Sequence, residues 1–206
     1  MQTALPYTEV DGNDISVITS ARDYKSQLLT LISNAQQRIY ITALYLQDDE
    51  AGREVLAALY QAKSKTPGLE VKIFVDYHRA QRGLIGEKQQ LGNRASYNAI
   101  AAQELAEIEI YGVAVKAKEL LGVLHLKGMI FDDVLLYSGA SINDIYLQQK
   151  DRYRLDRYYQ IQSKVICNSF CDYLTNGFIS SGLAERINKD ENGNEQTTKK
   201  LNNKRI

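Results

Sequence analysis

The amino-acid sequence predicts an α/β domain built in layers, with a mixed β-sheet flanked by helices. Strand-like and helix-like segments alternate along the chain, which is typical of layered α/β proteins. Two short apolar segments near residue 130 are close enough to pair as a hairpin, which adds antiparallel strands to the sheet. With 206 residues the chain can bury one substantial core, so we expect a single domain.

The first predicted elements follow from a helix cap and from apolar spacing. Residues 1–14 form a loose lead, and a short strand follows at 15–19. Ser20 can cap the next helix, in which apolar residues recur at helical spacing. Residues 38–46 suit a strand that is buried on both faces, because apolar β-forming residues fill nearly the whole segment.

Acidic residues and a turn signal bound the second predicted helix. Asp48 and Asp49 favour a helix N-terminus, and the pair Pro67-Gly68 ends the helix. Residues 70–78 then predict another strand, and a long polar segment follows it.

The same patterns predict the second half of the chain. Its elements are, in order, a helix at 97–106, a strand at 108–115, strands at 123–131 and 134–138, a strand at 157–162 and a helix at 164–178. Beyond Gly182 the sequence is polar and has no apolar period, which is typical of disorder. We therefore expect a folded domain at 15–182 and a disordered tail at 183–206.

Charge and composition exclude some classes of function. The chain has 25 basic and 25 acidic residues, whereas a broad electrostatic grip on nucleic acid needs a basic surface. We therefore expect no nucleic-acid partner. No apolar stretch approaches the roughly 20 residues that span a bilayer, and the first residues lack the features of a signal peptide. These observations predict a cytoplasmic protein.

The two cysteines are predicted to be core thiols. Cys167 and Cys171 lie four residues apart in a predicted helix, where a disulfide is disfavoured. They have no neighbouring residues that suit a metal site, so we expect neither a metal nor another cofactor.

One of only two histidines, His125, lies in an apolar segment two residues before Lys127. On a strand these two side chains share one face with Met129, because successive side chains alternate. An imidazole beside an ammonium suits attack on phosphorus, with histidine as the nucleophile and lysine holding the anionic oxygens. On this spacing alone, however, a core histidine beside a lysine that extends to solvent is the better interpretation.

The residues that follow extend the pattern. Asp132 comes five residues after Lys127, and the sequence Gly139-Ala140-Ser141-Ile142-Asn143 comes next. This resembles the phospholipase D superfamily, whose signature is a His-x-Lys-x4-Asp pattern followed by Gly-Ser-x-Asn. One residue departs from the signature, because Ala140 stands between Gly139 and Ser141.

Several further segments narrow the resemblance to one branch. The segments "ITALYLQDDEAG", "VDYHRAQRGLIG", "YGVAV", "LGVLHLKG" and "DDVLLYSGASINDIYL" are similar to the N-terminal half of bacterial CDP-diacylglycerol–serine phosphatidyltransferases of the phospholipase D type. The similarity covers about residues 15–180. That family carries two His-Lys-Asp motifs in a chain of about double this length. The second histidine here, His78, has no lysine two residues later, so the partner motif must come from a missing C-terminal half or from a second copy of the chain.

The resemblance implies roles for the motif residues. His125 would attack the phosphoryl group next to the diacylglycerol of CDP-diacylglycerol, and Lys127 and Asn143 would hold the nonbridging oxygens. Ser141 would support them, and Gly139 belongs to the motif. Asp132 lies seven residues from His125, an odd offset that points its side chain away from the site on a regular strand, so we interpret it as structural.

Three further residues are weaker candidates. Asp156 matches the position at which the superfamily has an acidic residue bonded to the motif histidine, although its spacing equally fits a surface carboxylate between arginines. Arg79 and Arg82 follow a predicted strand in a glycine-containing loop, where α/β proteins often bind ligands. They would bind the pyrophosphate or the CMP product, or they are solvated loop residues.

Three functions stay open on the sequence alone. The resemblance implies a phosphatidyltransferase that makes phosphatidylserine and CMP from CDP-diacylglycerol and L-serine, bound peripherally at the inner face of the membrane. A single-motif nuclease or phosphodiesterase that acts as a homodimer is the alternative, and it would explain one motif in a short chain. The third is an inactive fragment that holds half a site.

Overall fold

The sheet has eight strands and is covered by helices on both faces. The computed structural model describes residues 7–81, 92–115 and 123–188. The strands are β1 (Ile15–Ile18), β2 (Arg38–Thr42), β3 (Glu70–Asp76), β4 (Glu109–Val113), β5 (Gly128–Phe131), β6 (Val134–Ser138), β7 (Tyr158–Gln162) and β8 (Ala184–Arg186). The helices are α1 (Ala21–Asn34), α2 (Glu50–Lys65), α3 (Tyr77–Ala80), α4 (Asn93–Ala101) and α5 (Lys164–Leu174), with a 3-10 turn at Gly12–Asp14 and a π-helical turn at Thr175–Ser180.

The strand order is β1-β7-β6-β5-β2-β3-β4-β8, and the sheet is mixed, as predicted. Strands β2, β3 and β4 are parallel to one another, and every other neighbouring pair is antiparallel. The carboxyl ends of β2, β3, β4 and β6 therefore lie at one edge of the sheet, together with the first residues of β5 and β7. We call this edge the carboxyl edge.

Side-chain hydrogen bonds define where the helices begin. The Ser20 hydroxyl accepts the Asp23 N–H at 3.0 Å, which confirms the predicted cap of α1. Asp49 caps α2 by accepting the Gly52 N–H at 2.9 Å. Such caps satisfy backbone donors that the helix itself leaves free, and each contributes about 1 kcal/mol of stability.

Alternating side chains of the strands fill two hydrophobic clusters. Ile39 and Ile41 of β2 pack with α1 and α2 on one face, whereas Tyr40 between them packs with α5 on the other. The cysteines of α5, Cys167 and Cys171, are buried in the second cluster as predicted. Burial raises the pKa of Cys167 to about 12 and that of Cys171 to about 11, so both thiols stay protonated and unreactive.

The structure corrects several predicted boundaries. Helix α4 lies at Asn93–Ala101 instead of 97–106, and only the last four residues of the strand predicted at 123–131 are a strand. The predicted disorder is wrong for the first residues of the tail, because β8 pairs with β4. Asn188 extends this contact: its side chain accepts the Ile110 N–H at 3.0 Å and donates to the Ile108 carbonyl at 2.9 Å. The rest of the tail lies outside the described residues.

Candidate active site

The carboxyl edge brings together most of the residues that the sequence singled out. His125 and Lys127 directly precede β5, and Gly139 to Asn143 directly follow β6. Asp156 lies two residues before β7, and Arg79 lies in α3, directly after β3. The sheet therefore places several chain segments next to one another at one edge, which is where open α/β sheets bind ligands.

The segment with His125 is held by groups from neighbouring strand ends. Asp76 at the end of β3 is 1% exposed, and its Oδ2 accepts the Leu124 N–H at 2.8 Å. Its Oδ1 accepts the Arg79 N–H at 2.8 Å and so caps α3. The buried Thr42 hydroxyl at the end of β2 donates to the Gly128 carbonyl at 2.8 Å. Neither anchor was predicted from the sequence, although each is a polar residue at the end of an apolar strand.

The two leucines of this segment lie on one face, as predicted, even though residues 123–127 are not paired as a strand. Leu124 and Leu126 pack against the cluster on the α5 face. His125 is exposed, whereas Lys127 is only 8% exposed. His125 is therefore not the core histidine that the spacing alone favoured.

Lys127 is a buried cation without a partner in the described part of the chain. Its Nζ has no hydrogen bond there, and nearly all buried polar groups in proteins have one. Burial lowers the pKa of the Lys127 ammonium, and the negative charge of Asp156 opposes part of that change. An anion bound beside Nζ would satisfy both its charge and its hydrogen-bond donors.

Replacing this lysine should stabilise the folded chain. We expect Lys127→Met to raise the free energy of unfolding by about 1–3 kcal/mol, the usual cost of an unsatisfied buried polar group. Urea unfolding checks this. Lys63→Met is the control, because the Lys63 ammonium donates to the carbonyls of Pro67 and Leu69 at 2.8 and 2.7 Å and its loss should destabilise. A Lys127→Met variant less stable than the wild type would show that this ammonium has a stabilising partner.

Two glycines beside the site allow close packing. Gly128 has φ +138°, and a Cβ there would lie 3.1 Å from the ring of Phe170. A Cβ on Gly139 would lie 2.9 Å from Oδ2 of Asp156. The Asp156 carboxylate therefore lies directly against the Gly-Ala-Ser segment, in space that only glycine leaves open.

The residue that departs from the family signature belongs to the core. Ala140 and Ile142 are buried, whereas the alternate residues Ser141 and Asn143 are half-buried. Ser141 and Asn143 thus share one face, as predicted for an extended segment. The extra residue, Ala140, packs into the cluster on the α1 and α2 face and keeps this alternation.

A reciprocal pair of acidic residues fixes the chain after Asn143. The Asp144 N–H donates to Asp49 Oδ2, and the Ala51 N–H donates to Asp144 Oδ1, both at 2.9 Å. Burial raises the pKa of Asp49 above its usual value. Asn143 itself accepts the Tyr146 N–H at 3.0 Å with Oδ1, which leaves its NH₂ group for a ligand. Nothing in the local sequence pairs Asp49 with Asp144.

Asp156 contacts the site without bonding to His125. Its Oδ1 accepts the Arg157 N–H at 2.7 Å, and its charge acts on the pKa of Lys127. Within the described residues, Asp156 and His125 form no hydrogen bond. The predicted carboxylate–imidazole bond is thus not formed in this structure, although Asp156 does lie at the same edge.

Asp132 stabilises the fold away from this edge. It lies in the turn between β5 and β6, with φ +52°. Its carboxylate accepts the N–H groups of Gln36, Gln37 and Arg38 at 2.9, 2.8 and 3.0 Å. These are the contacts of a structural residue, as its odd offset from His125 indicated.

Removing this carboxylate should cost stability. We expect Asp132→Ala to lower the free energy of unfolding by about 2–4 kcal/mol, because three backbone donors lose an ionised acceptor. Chemical denaturation measures the loss. The neighbouring Asp133 is the matched control: it forms a 3.3 Å ion pair with Arg38 that is partly exposed, so Asp133→Ala should cost less than about 1 kcal/mol. Equal effects of the two changes would contradict the structural role of Asp132.

The remaining candidates lie around the site. Arg79 is half-buried in α3, and His78 beside it is exposed. Arg82 lies outside the described residues. A cavity of about 240 Å³ lies at the opposite edge of the sheet, where β4 begins, and is lined by residues that include Tyr60 and Arg186. None of the described candidate residues lines it.

Metal-binding groups and membrane spans are absent from residues 7–81, 92–115 and 123–188. These residues contain no group of three or more His, Cys, Asp or Glu side chains that could hold a metal ion. None of their helices is long and apolar enough to cross a membrane.

Comparison with known proteins agrees with this arrangement. The chain is 41% identical over 173 residues to a CDP-diacylglycerol–serine O-phosphatidyltransferase of Haemophilus influenzae, covering 82% of this chain and 38% of that protein. It is 40% identical over 184 residues to the Escherichia coli K12 enzyme of that name, covering 89% of this chain and 41% of that protein. The chain thus spans about two fifths of the length of these relatives.

A solved structure extends the likeness to three dimensions. The crystal structure of phosphatidylserine synthase from Haemophilus influenzae matches with a TM-score of 0.82 and 36% identity, over 88% of this chain and 40% of that one. The family described as "Cardiolipin synthase, PLD-like domain" matches residues 28–145, which is more than half of the chain. The chain therefore belongs to the family of phospholipase D-like domains.

Proposed function

We propose that this chain is one half of a phosphatidyltransferase that makes phosphatidylserine and CMP from CDP-diacylglycerol and L-serine. The observation that carries the proposal is the buried ammonium of Lys127, unpartnered among the described residues, two residues from the exposed ring of His125. A nucleophile beside a cation that lacks an anion suits displacement at a phosphoryl group. The identity to the two named phosphatidyltransferases supports the choice of substrates.

In the first step, a ring nitrogen of His125 attacks the phosphorus next to the diacylglycerol. A nitrogen–phosphorus bond forms while the bond to the CMP oxygen breaks, and CMP leaves with a proton from a general acid. Lys127 and the Asn143 amide bind the nonbridging oxygens, and Ser141 supports them. No metal is needed for charge stabilisation where side chains supply the cations.

In the second step, the serine hydroxyl attacks the phosphatidyl-histidine. A base takes the hydroxyl proton, the oxygen–phosphorus bond of phosphatidylserine forms, and the nitrogen–phosphorus bond breaks. This division turns one difficult displacement into two easier ones. The negative charge of Asp156 favours the charged form of Lys127, and its carboxylate orients the imidazole once substrate is bound. Arg79 and Arg82 bind the pyrophosphate or the CMP product.

The general acid and base come from a second half-site. We assign Lys127 to binding the phosphoryl oxygens, and Asn143 does not titrate, so both proton transfers need other groups. A second His-Lys-Asp motif supplies them, either from further residues of a longer protein or from a second copy of this chain. Because the chain spans only about two fifths of the length of its relatives, further residues of a longer protein are the favoured source.

We also propose that the protein acts in the cytoplasm, bound peripherally to the inner face of the membrane. The diacylglycerol of the proposed substrate has two acyl chains, which stay in the bilayer because their transfer to water is unfavourable. The site must therefore reach the membrane surface to meet the phosphoryl group.

Product analysis tests the proposed function. The chain is assembled with its second half-site and given CDP-diacylglycerol in detergent, with L-serine or glycerol 3-phosphate as the acceptor. We expect CMP release that depends on serine, with phosphatidylserine as the product. Glycerol 3-phosphate as the better acceptor would reject serine as the substrate. Hydrolysis of DNA or of bis(p-nitrophenyl) phosphate without phosphatidyl transfer would favour the alternative of a nuclease or phosphodiesterase.

A further inference from the structure

The chain between β6 and β7 carries exposed side chains directly beside the candidate site. This segment, loop 144–157, follows Asn143 and contains Asp156, so both of its ends belong to the site. Its inner part is anchored, because Leu147 is fully buried. From residue 150 to residue 157, every residue except Asp156 is exposed.

Large apolar side chains of this loop face solvent. Leu155 is 68% exposed, Tyr153 43% and Ile145 37%. A hydrogen bond of 3.0 Å from the Arg154 N–H to the Ile145 carbonyl joins the two ends of the loop and brings these apolar residues to one region. A cluster of exposed apolar groups next to a site marks an interaction surface.

Basic side chains surround the apolar ones. Loop 144–157 has four basic residues, all of them exposed, and three acidic residues, of which only Asp151 is exposed. Lys150 forms an ion pair at 3.1 Å with Asp144, whose side chain is largely buried, and Arg152 is exposed. The guanidinium of Arg154 lies 5.8 Å from the centre of the Tyr146 ring. The loop thus offers positive charge and apolar groups together.

We propose that loop 144–157 docks on an anionic lipid surface, with Leu155 and Tyr153 entering the interface between headgroups and acyl chains. The basic side chains would bind the anionic headgroups, as in other proteins that lie on a membrane. Leucine and isoleucine contribute nothing to binding a nucleic-acid backbone, so the mixture of side chains favours lipid.

This inference rests on the proposed function and deepens it. The phosphorus of a diacylglycerol substrate lies at the depth of the headgroups, so His125 must come close to the membrane surface. Because loop 144–157 connects two segments of the site, docking through it brings the carboxyl edge to that depth. Docking through residues at the opposite edge of the sheet would leave the site far from the lipid.

A single tryptophan can report the docking, because the chain contains none. Leu155→Trp is mixed with vesicles of phosphatidylcholine and phosphatidylglycerol in equal amounts, without CDP-diacylglycerol. We expect its emission to shift to shorter wavelength and brominated lipids to quench it. Leu105→Trp is the matched control, since Leu105 is fully exposed near the other edge of the sheet and has acidic neighbours, Glu104 and Glu107. It should show neither effect.

The contribution of the basic side chains to docking is measured in the Leu155→Trp variant. Arg152→Ser together with Arg154→Ser should weaken partitioning onto these vesicles about 25-fold at low salt, at about fivefold for each cation near the surface. Pure phosphatidylcholine vesicles should bind weakly. Added salt should reduce binding to the mixed vesicles.

Three results would overturn the proposal. The first is a failure of the chain to bind the mixed vesicles, and the second is binding that leaves the tryptophan emission of the Leu155→Trp variant unchanged. The third is a shift that grows with protein concentration in the absence of vesicles, which would show that a second copy covers the loop. Because these vesicles hold no substrate and the activity assay uses detergent, loss of docking and loss of the proposed function are distinguishable.

Discussion

His125→Ala, in the protein assembled with its second half-site, is expected to abolish CMP release and phosphatidylserine formation. The change removes the proposed nucleophile and leaves only the groups that bind the phosphoryl oxygens. We expect a loss of at least about 10³-fold, because the remaining groups cannot form a covalent intermediate. Chromatographic measurement of CMP from CDP-diacylglycerol with serine checks this.

His78→Ala is the control for this experiment, because it removes the other histidine of the chain. Both side chains are exposed, so neither change should alter the free energy of unfolding by more than about 0.5 kcal/mol. If His125→Ala retained most of the wild-type rate while folded, another residue would have to be the nucleophile.

The isolated chain is expected to be inactive or very weak as a monomer. Attack by His125 requires a general acid for the leaving CMP oxygen and later a base for serine. Such proton transfer contributes about 10²–10⁴-fold to the rate, so half a site should lose turnover by that factor. Adding the second half-site, or forming a symmetric dimer that brings two copies of His125 together, should restore the rate.

This expectation is checked by CMP release measured together with the mass of the chain in solution. Activity that rises with the fraction of dimer would assign the second half-site to another copy. Robust release with serine by a strict monomer would show that the chain contains a general acid of its own.

Much of the fold follows from local patterns in the sequence. The strands β2 and β3 are rich in β-branched and aromatic residues, and Ser20 and Asp49 are residues that favour the start of a helix. These features depend on residues close together in the chain. Strand β8 was missed because it has three residues and no apolar alternation, and it forms only through pairing with β4.

The sequence named the residues of the proposed site but not the residues that support them. The motif identified His125 and Lys127, and the alternation of buried residues after Gly139 placed Ser141 and Asn143 on one face. The path of residues 123–127 depends instead on Asp76, which lies 48 residues from its partner Leu124 in the chain. No local pattern predicts a hydrogen bond over that separation.

The burial of Lys127 also could not be predicted from the sequence. On the spacing alone, a buried histidine beside a lysine that extends into water was the better interpretation. The structure buries its ammonium because the segment crosses the ends of β2 and β3, where Thr42 and Asp76 hold the backbone.

Exchange between labelled CMP and CDP-diacylglycerol in the absence of serine tests the central claim most directly. Exchange requires that the phosphatidyl group stay on the enzyme after CMP leaves, so it reports the covalent intermediate alone. With the second half-site present, we expect the label to enter CDP-diacylglycerol with the wild type and not with His125→Ala. Exchange that persists in His125→Ala, or is absent from a wild type that makes phosphatidylserine, would contradict a phosphatidyl-histidine intermediate at His125.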